Sequence, residues 1–170
     1  MLDYLIIFII MLTVVKGNLR RGYKFSVILY AFTIFNIIIY AFLVEILKDT
    51  WSVSKGPEFI RSLRYLLLAL AIAEFFLIKV LRKYMIRRVY PKELNPKKIT
   101  ELLLSIDLIT CALCEAIVIY GLLLFFLSSD SINFYVFLAL GLIALGIYFP
   151  RYSRWEDLAN LQEAKEMPTI

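Results

Sequence analysis

Five side chains that could do chemistry share one face of a single apolar stretch of the sequence. Within residues 102–127 they follow one another at the spacing of one helix face: Asp107, Thr110, Cys111, Cys114 and Glu115. An ionised carboxylate at bilayer depth costs about 3 kcal/mol or more unless it is paired, protonated or wetted. We therefore expect this face to point at protein or at a water-filled pocket. The chemistry open to it is proton or cation transfer by the carboxylates, or thiol chemistry by the cysteines.

The three carboxylates inside apolar stretches each have two interpretations. Glu115 lies mid-helix with Asp107 about two turns away, so the two side chains can be steps of a proton or cation path. Alternatively, Glu115 is protonated, or hydrogen-bonded to a neighbour such as Thr33 or Asn36, and fixes the register of its helix. Glu74, in another apolar stretch, is either a third member of the path or is neutralised by a snorkelling lysine, Lys79.

The letters CEAIVIYGLLLFFL, residues 114–127, locally resemble the ion-carrying helix of the proteolipid (c-subunit) family of rotary ATPases. In that family a mid-membrane carboxylate is followed by an apolar run with a similar Tyr-Gly pair. The resemblance implies an ion-binding role for Glu115 and for no other residue. It covers 14 of 170 residues. The glycine-rich first helix and the two-helix hairpin of the family are missing, so the chain is not assigned to it.

The two cysteines have the CxxC spacing of redox and metal sites. Redox pairs normally lie at an accessible helix start, whereas Cys111 and Cys114 lie mid-helix at bilayer depth. No second pair completes a four-ligand metal site, and the chain has no histidine. We therefore interpret the thiols as small packing residues and predict neither a cofactor nor a metal.

Composition places the chain among integral membrane proteins. Hydrophobic residues make up 62% of the sequence and charged residues only 19%. The net charge of +5 comes from lysines and arginines at the ends of apolar segments, where they act as topology signals rather than as a nucleic-acid surface. No nucleic-acid partner is expected.

The apolar segments predict an all-α integral membrane protein, a bundle of five transmembrane helices in one domain over residues 1–150. The expected spans are residues 2–15, 25–47, 59–81, 102–127 and 134–149, of which the first is short for a span. Residues 151–170 are expected to form a short amphipathic tail helix with Trp155 on its apolar side, lying on the membrane or on a partner. Polar residues predicted to make helix contacts are Thr33, Asn36, Tyr40, Thr110, Cys111 and Cys114.

The distribution of basic residues predicts the orientation. The segments 16–24, 79–100 and 151–170 hold 15 lysines and arginines, and the remaining four lie on the other side of the predicted bundle. Because the excess should be cytoplasmic, the N-terminus is expected outside and the C-terminus inside, in the cell membrane of a prokaryote. Residues 79–98 carry the basic residues expected to face anionic lipid or a partner: Arg82, Lys83, Arg87, Arg88, Lys92, Lys97 and Lys98.

Three function classes are compatible with this layout. The first is a small subunit or assembly factor of a larger membrane complex, which contacts other membrane subunits or its own copies. The second is an oligomeric proton or cation conductor that uses Glu115, Asp107 and Glu74. The third is an intramembrane enzyme, against which stands the lack of a nucleophile and base pair in the sequence. We expect the first class.

Overall fold

The part of the chain that the structure describes is helical. A computed structural model describes residues 19–51, 56–89, 96–153 and 155. These residues form four long helices and no strand: α1 (Leu19–Leu47), α2 (Pro57–Val89), α3 (Pro96–Ser128) and α4 (Ser131–Tyr148). Helices α1, α3 and α4 are long and apolar enough to cross a membrane. The expected spans 25–47 and 102–127 fall within α1 and α3, and the expected span 134–149 falls within α4 except for its last residue. The expected span 2–15 lies outside the described residues.

Helix α2 is as long as α3 but is more highly charged. Any 18 consecutive residues of α2 contain at least three charged side chains, because Arg64, Glu74 and Lys79 are spread through its apolar part. For that reason α2 is not among the helices that composition alone marks as spans. The predicted span 59–81 is helical throughout, with the apolar residues 65–78 interrupted by a single charge at Glu74.

Local sequence explains where the helices begin and end. Helices α2 and α3 begin at Pro57 and Pro96, because proline lacks the N–H that would be unpaired at the first helical position. Helix α4 begins after Asp130, whose side chain accepts a hydrogen bond from the Ile132 amide at 3.0 Å. The predicted turn over residues 128–133 is therefore only two residues long, and Ser129 makes it with a positive φ of 57°.

Helix α3 is the centre of the bundle, since it packs against each of the other three helices. Helices α1 and α2 lie on its two flanks and share no comparable contact with each other. Contacts along the bundle run in one order, with Ser26 beside Asp107 and, further along both helices, Tyr40 beside Glu115. Helices α1 and α3 are therefore parallel to each other and antiparallel to α2 and α4. We call the end where α1 and α3 begin the basic end of the bundle.

Glycine allows α3 and α4 to approach closely. A Cβ atom on Gly141 would lie 2.5 Å from Val118 Cγ2, and one on Gly121 would lie 2.7 Å from Phe137 Cβ. Neither position has room for a side chain, so the two helices pack through their backbones there. Of four small residues along α4, Gly141 and Ala144 are buried. The other two, Ala139 and Gly146, are exposed, because they lie on the opposite side of the helix.

The tail is described only at residues 151–153 and 155, so the predicted helix over 151–170 lies mostly outside the described residues. Trp155 is 3% exposed and packs against Leu103, Leu104 and Tyr23 at the basic end. It therefore contacts its own bundle, whereas the sequence suggested contact with the membrane or a partner. The large apolar ring is buried by filling the space between α1 and α3.

Candidate functional site

A buried ion pair joins two helices near the basic end. Asp107 is 2% exposed; its Oδ1 lies 3.3 Å from Nη2 of Arg82 on α2. The other oxygen, Oδ2, accepts a hydrogen bond of 2.5 Å from Ser26 Oγ on α1. Because both oxygens of Asp107 are paired, the negative charge is balanced inside the bundle.

The same arginine joins the ion pair to the end of α4. Arg82 Nη1 donates to the backbone oxygen of Tyr148 at 3.0 Å, and its guanidinium lies 5.4 Å from the centre of the Tyr148 ring. Tyr30 of α1 donates its hydroxyl to the same oxygen at 2.8 Å. That carbonyl lies in the last turn of α4 and has no partner within its own helix. The network therefore ties all four helices together and satisfies the end of α4.

This arrangement changes the interpretation of Arg82. The sequence placed it among the basic residues that face lipid or a partner, but the side chain points into the bundle and is 17% exposed. Burying Asp107 requires a cation, and Arg82 is the one that reaches it. Of the other six residues in that set, Lys83 is exposed towards the end of α2, whose last turns contain Arg87 and Arg88. The first turn of α3 contains Lys97 and Lys98, and Lys92 lies outside the described residues.

Glu115 lies between α3 and α1 and is 4% exposed. Its Oε1 accepts a hydrogen bond from the Tyr40 hydroxyl at 2.7 Å and a long one from Asn36 Nδ2 at 3.4 Å. Its Oε2 is buried and has no hydrogen-bond partner among the described residues. Of the two partners proposed from sequence, Asn36 contacts Glu115, whereas Thr33 donates to Leu29 O of its own helix at 3.1 Å.

Glu74 has a closely similar environment on the other flank of α3. It is 9% exposed, and its Oε1 accepts a hydrogen bond of 2.5 Å from the Tyr120 hydroxyl. Its Oε2 is also buried without a hydrogen-bond partner in the described part of the chain. Lys79, which the sequence offered as a neutralising cation, is exposed, and the described residues show no ion pair between it and Glu74. The partner is a tyrosine instead, because Tyr120 is the polar side chain of α3 that lies opposite Glu74.

The two glutamates lie at one depth of the bundle. Glu115 is eight residues beyond Asp107 on α3, and Glu74 is eight residues before Arg82 on the antiparallel α2. Eight residues of helix rise about 12 Å. The backbone positions of both glutamates therefore lie about 12 Å along their helices from those of the ion pair, on the side away from the basic end.

The cysteines lie among apolar side chains. Cys111 and Cys114 are free and buried, and they belong to the main apolar cluster with Tyr30, Ile37 and Val118. The Thr110 hydroxyl donates to Ile106 O of its own helix at 2.7 Å. Its proton is therefore not available for a hydrogen bond to another helix. Among the described residues, no three histidine, cysteine, aspartate or glutamate side chains are grouped so that they could bind a metal ion.

The opposite end of the bundle has a separate polar cluster. Glu45 pairs with Lys48 at 2.5 Å and accepts a hydrogen bond from the Tyr135 hydroxyl of α4. The pairing with Glu45 raises the pKa of Lys48, which lies beyond the end of α1. Trp51 donates its indole N–H to Phe126 O at 3.1 Å.

Sequence reasoning missed the tyrosines that complete these sites. Tyr30, Tyr120 and Tyr148 were not named as site residues, although all three lie within apolar stretches. The available signal was the hydroxyl itself, since a tyrosine buried at bilayer depth needs a hydrogen-bond partner and carboxylates are the strongest acceptors there.

No protein-family model, curated protein or solved structure matches the chain. No family assignment follows, and this includes the proteolipid family that residues 114–127 resemble locally.

Proposed function

We propose that this protein is a multi-pass membrane protein that serves as a subunit or assembly factor of a larger membrane complex. One observation supports this most: the buried carboxylates Glu74, Asp107 and Glu115 find their partners inside the bundle, while α1 and α2 present long apolar surfaces outwards. Large exposed apolar side chains include Phe35 and Phe42 on α1 and Leu66 and Phe76 on α2. Such surfaces suit lipid and the helices of other membrane subunits.

The proposed topology has five spans, with residues 2–15 as the first and α2 as the third. The charged ends of α2 favour a span despite its composition, because arginine and lysine near helix ends can reach the interface. The basic end is assigned to the cytoplasmic side of a prokaryotic cell membrane, and the N-terminus to the outside. Anionic lipid would then meet the lysines and arginines of residues 79–98 other than Arg82.

Photo-crosslinking from the outward surface tests the proposal. A photoreactive amino acid replaces Phe76, which is 62% exposed, and in a second variant Phe35, which is 57% exposed. Phe134, which is fully buried, provides the matched control. We expect one unlike membrane protein to be captured in native membranes from at least one outward position and not from the control. Adducts with lipid or with the same chain alone would contradict the assignment.

The second candidate is an oligomeric proton or cation conductor. It is favoured by Glu115, whose Oε2 is buried without a partner among the described residues. Asp107 is a weaker candidate for carrying protons or cations than the sequence suggested, because Arg82 and Ser26 occupy both of its carboxyl oxygens. Flux through the purified chain in vesicles distinguishes the two functions: a conductor loses flux in Glu115→Gln and keeps it in the exposed control Glu45→Gln, whereas a subunit without conduction shows no flux in either.

A further inference from the structure

Glu74 and Glu115 repeat one arrangement on the two flanks of α3. In each case a tyrosine hydroxyl from the facing helix donates to Oε1, Tyr120 to Glu74 and Tyr40 to Glu115. Helix α3 contributes a carboxyl group to one pair and a hydroxyl to the other. In both pairs the second carboxyl oxygen is buried and has no partner among the described residues.

No cation within the described residues balances either carboxylate. The two ion pairs there join Lys48 to Glu45 and Arg82 to Asp107. Arg82 is engaged by Asp107 and by Tyr148 O, about 12 Å along the helices from the glutamates. Among the described residues Cys114 is a further titratable neighbour: it lies close enough to Glu74 and Arg82 to interact electrostatically and is itself buried among apolar residues.

An anion without a cation is far more costly in this environment than a neutral acid. A buried charge loses its whole hydration, whereas a protonated carboxyl leaves at most one O–H without an acceptor. A metal ion is a poorer occupant than a proton, because hard cations take about six oxygen ligands. At Glu115 the described polar side chains within hydrogen-bond reach are only Asn36 and Tyr40.

We propose that Glu74 and Glu115 form a pair of proton-binding sites at one depth of the membrane, each holding its proton on Oε2 while a tyrosine donates to Oε1. The inference rests on the proposed membrane placement of the helices and not on any partner. It assigns Asp107 a different state, the ionised partner of Arg82. The two protonated glutamates also hold the flanking helices α1 and α2 against α3 through neutral hydrogen bonds.

Infrared spectroscopy of the full chain in lipid nanodiscs at neutral pH tests this directly. A protonated carboxyl group has a C=O stretching band that carboxylates lack and that shifts in D₂O. We expect two such contributions, one lost in Glu74→Gln and the other in Glu115→Gln. Glutamine keeps the shape of the side chain and the acceptor for the tyrosine. Glu45→Gln, at the exposed glutamate paired with Lys48, is the control and should leave the band unchanged.

Two further variants assign each band to its geometry. Tyr40→Phe should raise the frequency of the band that Glu115→Gln removes, because its carbonyl loses a donor, and leave the other band in place. Tyr120→Phe should do the same for the band that Glu74→Gln removes. The proposal is overturned if neither glutamine variant reduces the band at neutral pH. It is also overturned if the bands appear only when sodium and other metal ions are withdrawn, which would show metal occupancy. Neither result depends on whether partner subunits exist.

Discussion

Arg82 and Asp107 meet across α2 and α3 with their charged atoms 3.3 Å apart, and the arginine continues to the backbone oxygen of Tyr148 at the end of α4. One side chain therefore balances a buried acid and completes the last turn of a neighbouring helix. Breaking such a buried pair from one side is worse than removing both charges, since a single substitution leaves the other charge unpaired.

Arg82→Gln is accordingly expected to destabilise the bundle by about 3–5 kcal/mol, because buried Asp107 then loses the guanidinium that pairs with its Oδ1. The double variant Arg82→Gln with Asp107→Asn removes both charges and should recover a large part of that loss. Unfolding of the purified chain in mixed detergent micelles measures the difference. A double variant as unstable as the single one would show that charge balance is not what the pair supplies.

The approach of α3 to α4 predicts a contrast between two glycines on one helix. Gly141→Ala should destabilise the protein by about 1–3 kcal/mol, because the new Cβ lies 2.5 Å from Val118 Cγ2 and 3.1 Å from Cys114 O. Gly146→Ala meets nothing within 4 Å and should be neutral or stabilising by up to about 1 kcal/mol. Thermal unfolding of both variants checks this, and equal effects at the two positions would count against the described helix interface.

Trp155 predicts that the start of the tail is docked on the basic end. Replacing it with alanine removes a ring that is 3% exposed and packs on Leu103 and Leu104. Core Trp→Ala changes cost about 3–5 kcal/mol, so the contact should be largely lost. Limited proteolysis should then cut the tail markedly faster than in the wild type. Tyr152→Ala, at a neighbouring residue that is 39% exposed, should change the rate less.

The proposed orientation predicts which residues face the cytoplasm. Cysteine introduced at Ser153, which is exposed at the basic end, should react with a membrane-impermeant maleimide only after cells are opened. Cysteine at Asp49, exposed at the opposite end, should react in intact cells. The native Cys111 and Cys114 are buried and give a low background. The reverse pattern of labelling would invert the topology.

Helix positions were predictable from the sequence because apolar length and helix-starting prolines determine them locally. The predicted span 102–127 lies inside α3, and Pro57 and Pro96 begin their helices. Pairings between helices were not predictable in the same way. Nothing in the sequence near Arg82 distinguishes it from Lys83, yet the first side chain points into the bundle and the second is exposed. The difference comes from the rotation of α2 against α3, which is a tertiary property.

For the residues of the site, too, local features were predictable from the sequence and contacts between helices were not. The helical stripe that includes Asp107 and Glu115 was visible in the sequence, and both carboxylates are buried as a stripe facing protein requires. Their partners lie on two other helices, α1 and α2, so periodicity within α3 could not identify Ser26, Arg82 or Tyr40. The pairing of Glu74 with Tyr120 was hidden for the same reason, since 46 residues separate them.

The native mass of the complex tests the central proposal most directly. The tagged full chain, 19.8 kDa, is extracted gently from its own membrane and weighed intact by mass spectrometry. The proposal predicts a mass that is not a multiple of the chain mass and that resolves into unlike subunits in fixed ratio. A mass equal to one chain or to a whole number of chains, with bound lipid alone, would contradict the subunit assignment, and a mass of two or more chains would favour the oligomeric conductor.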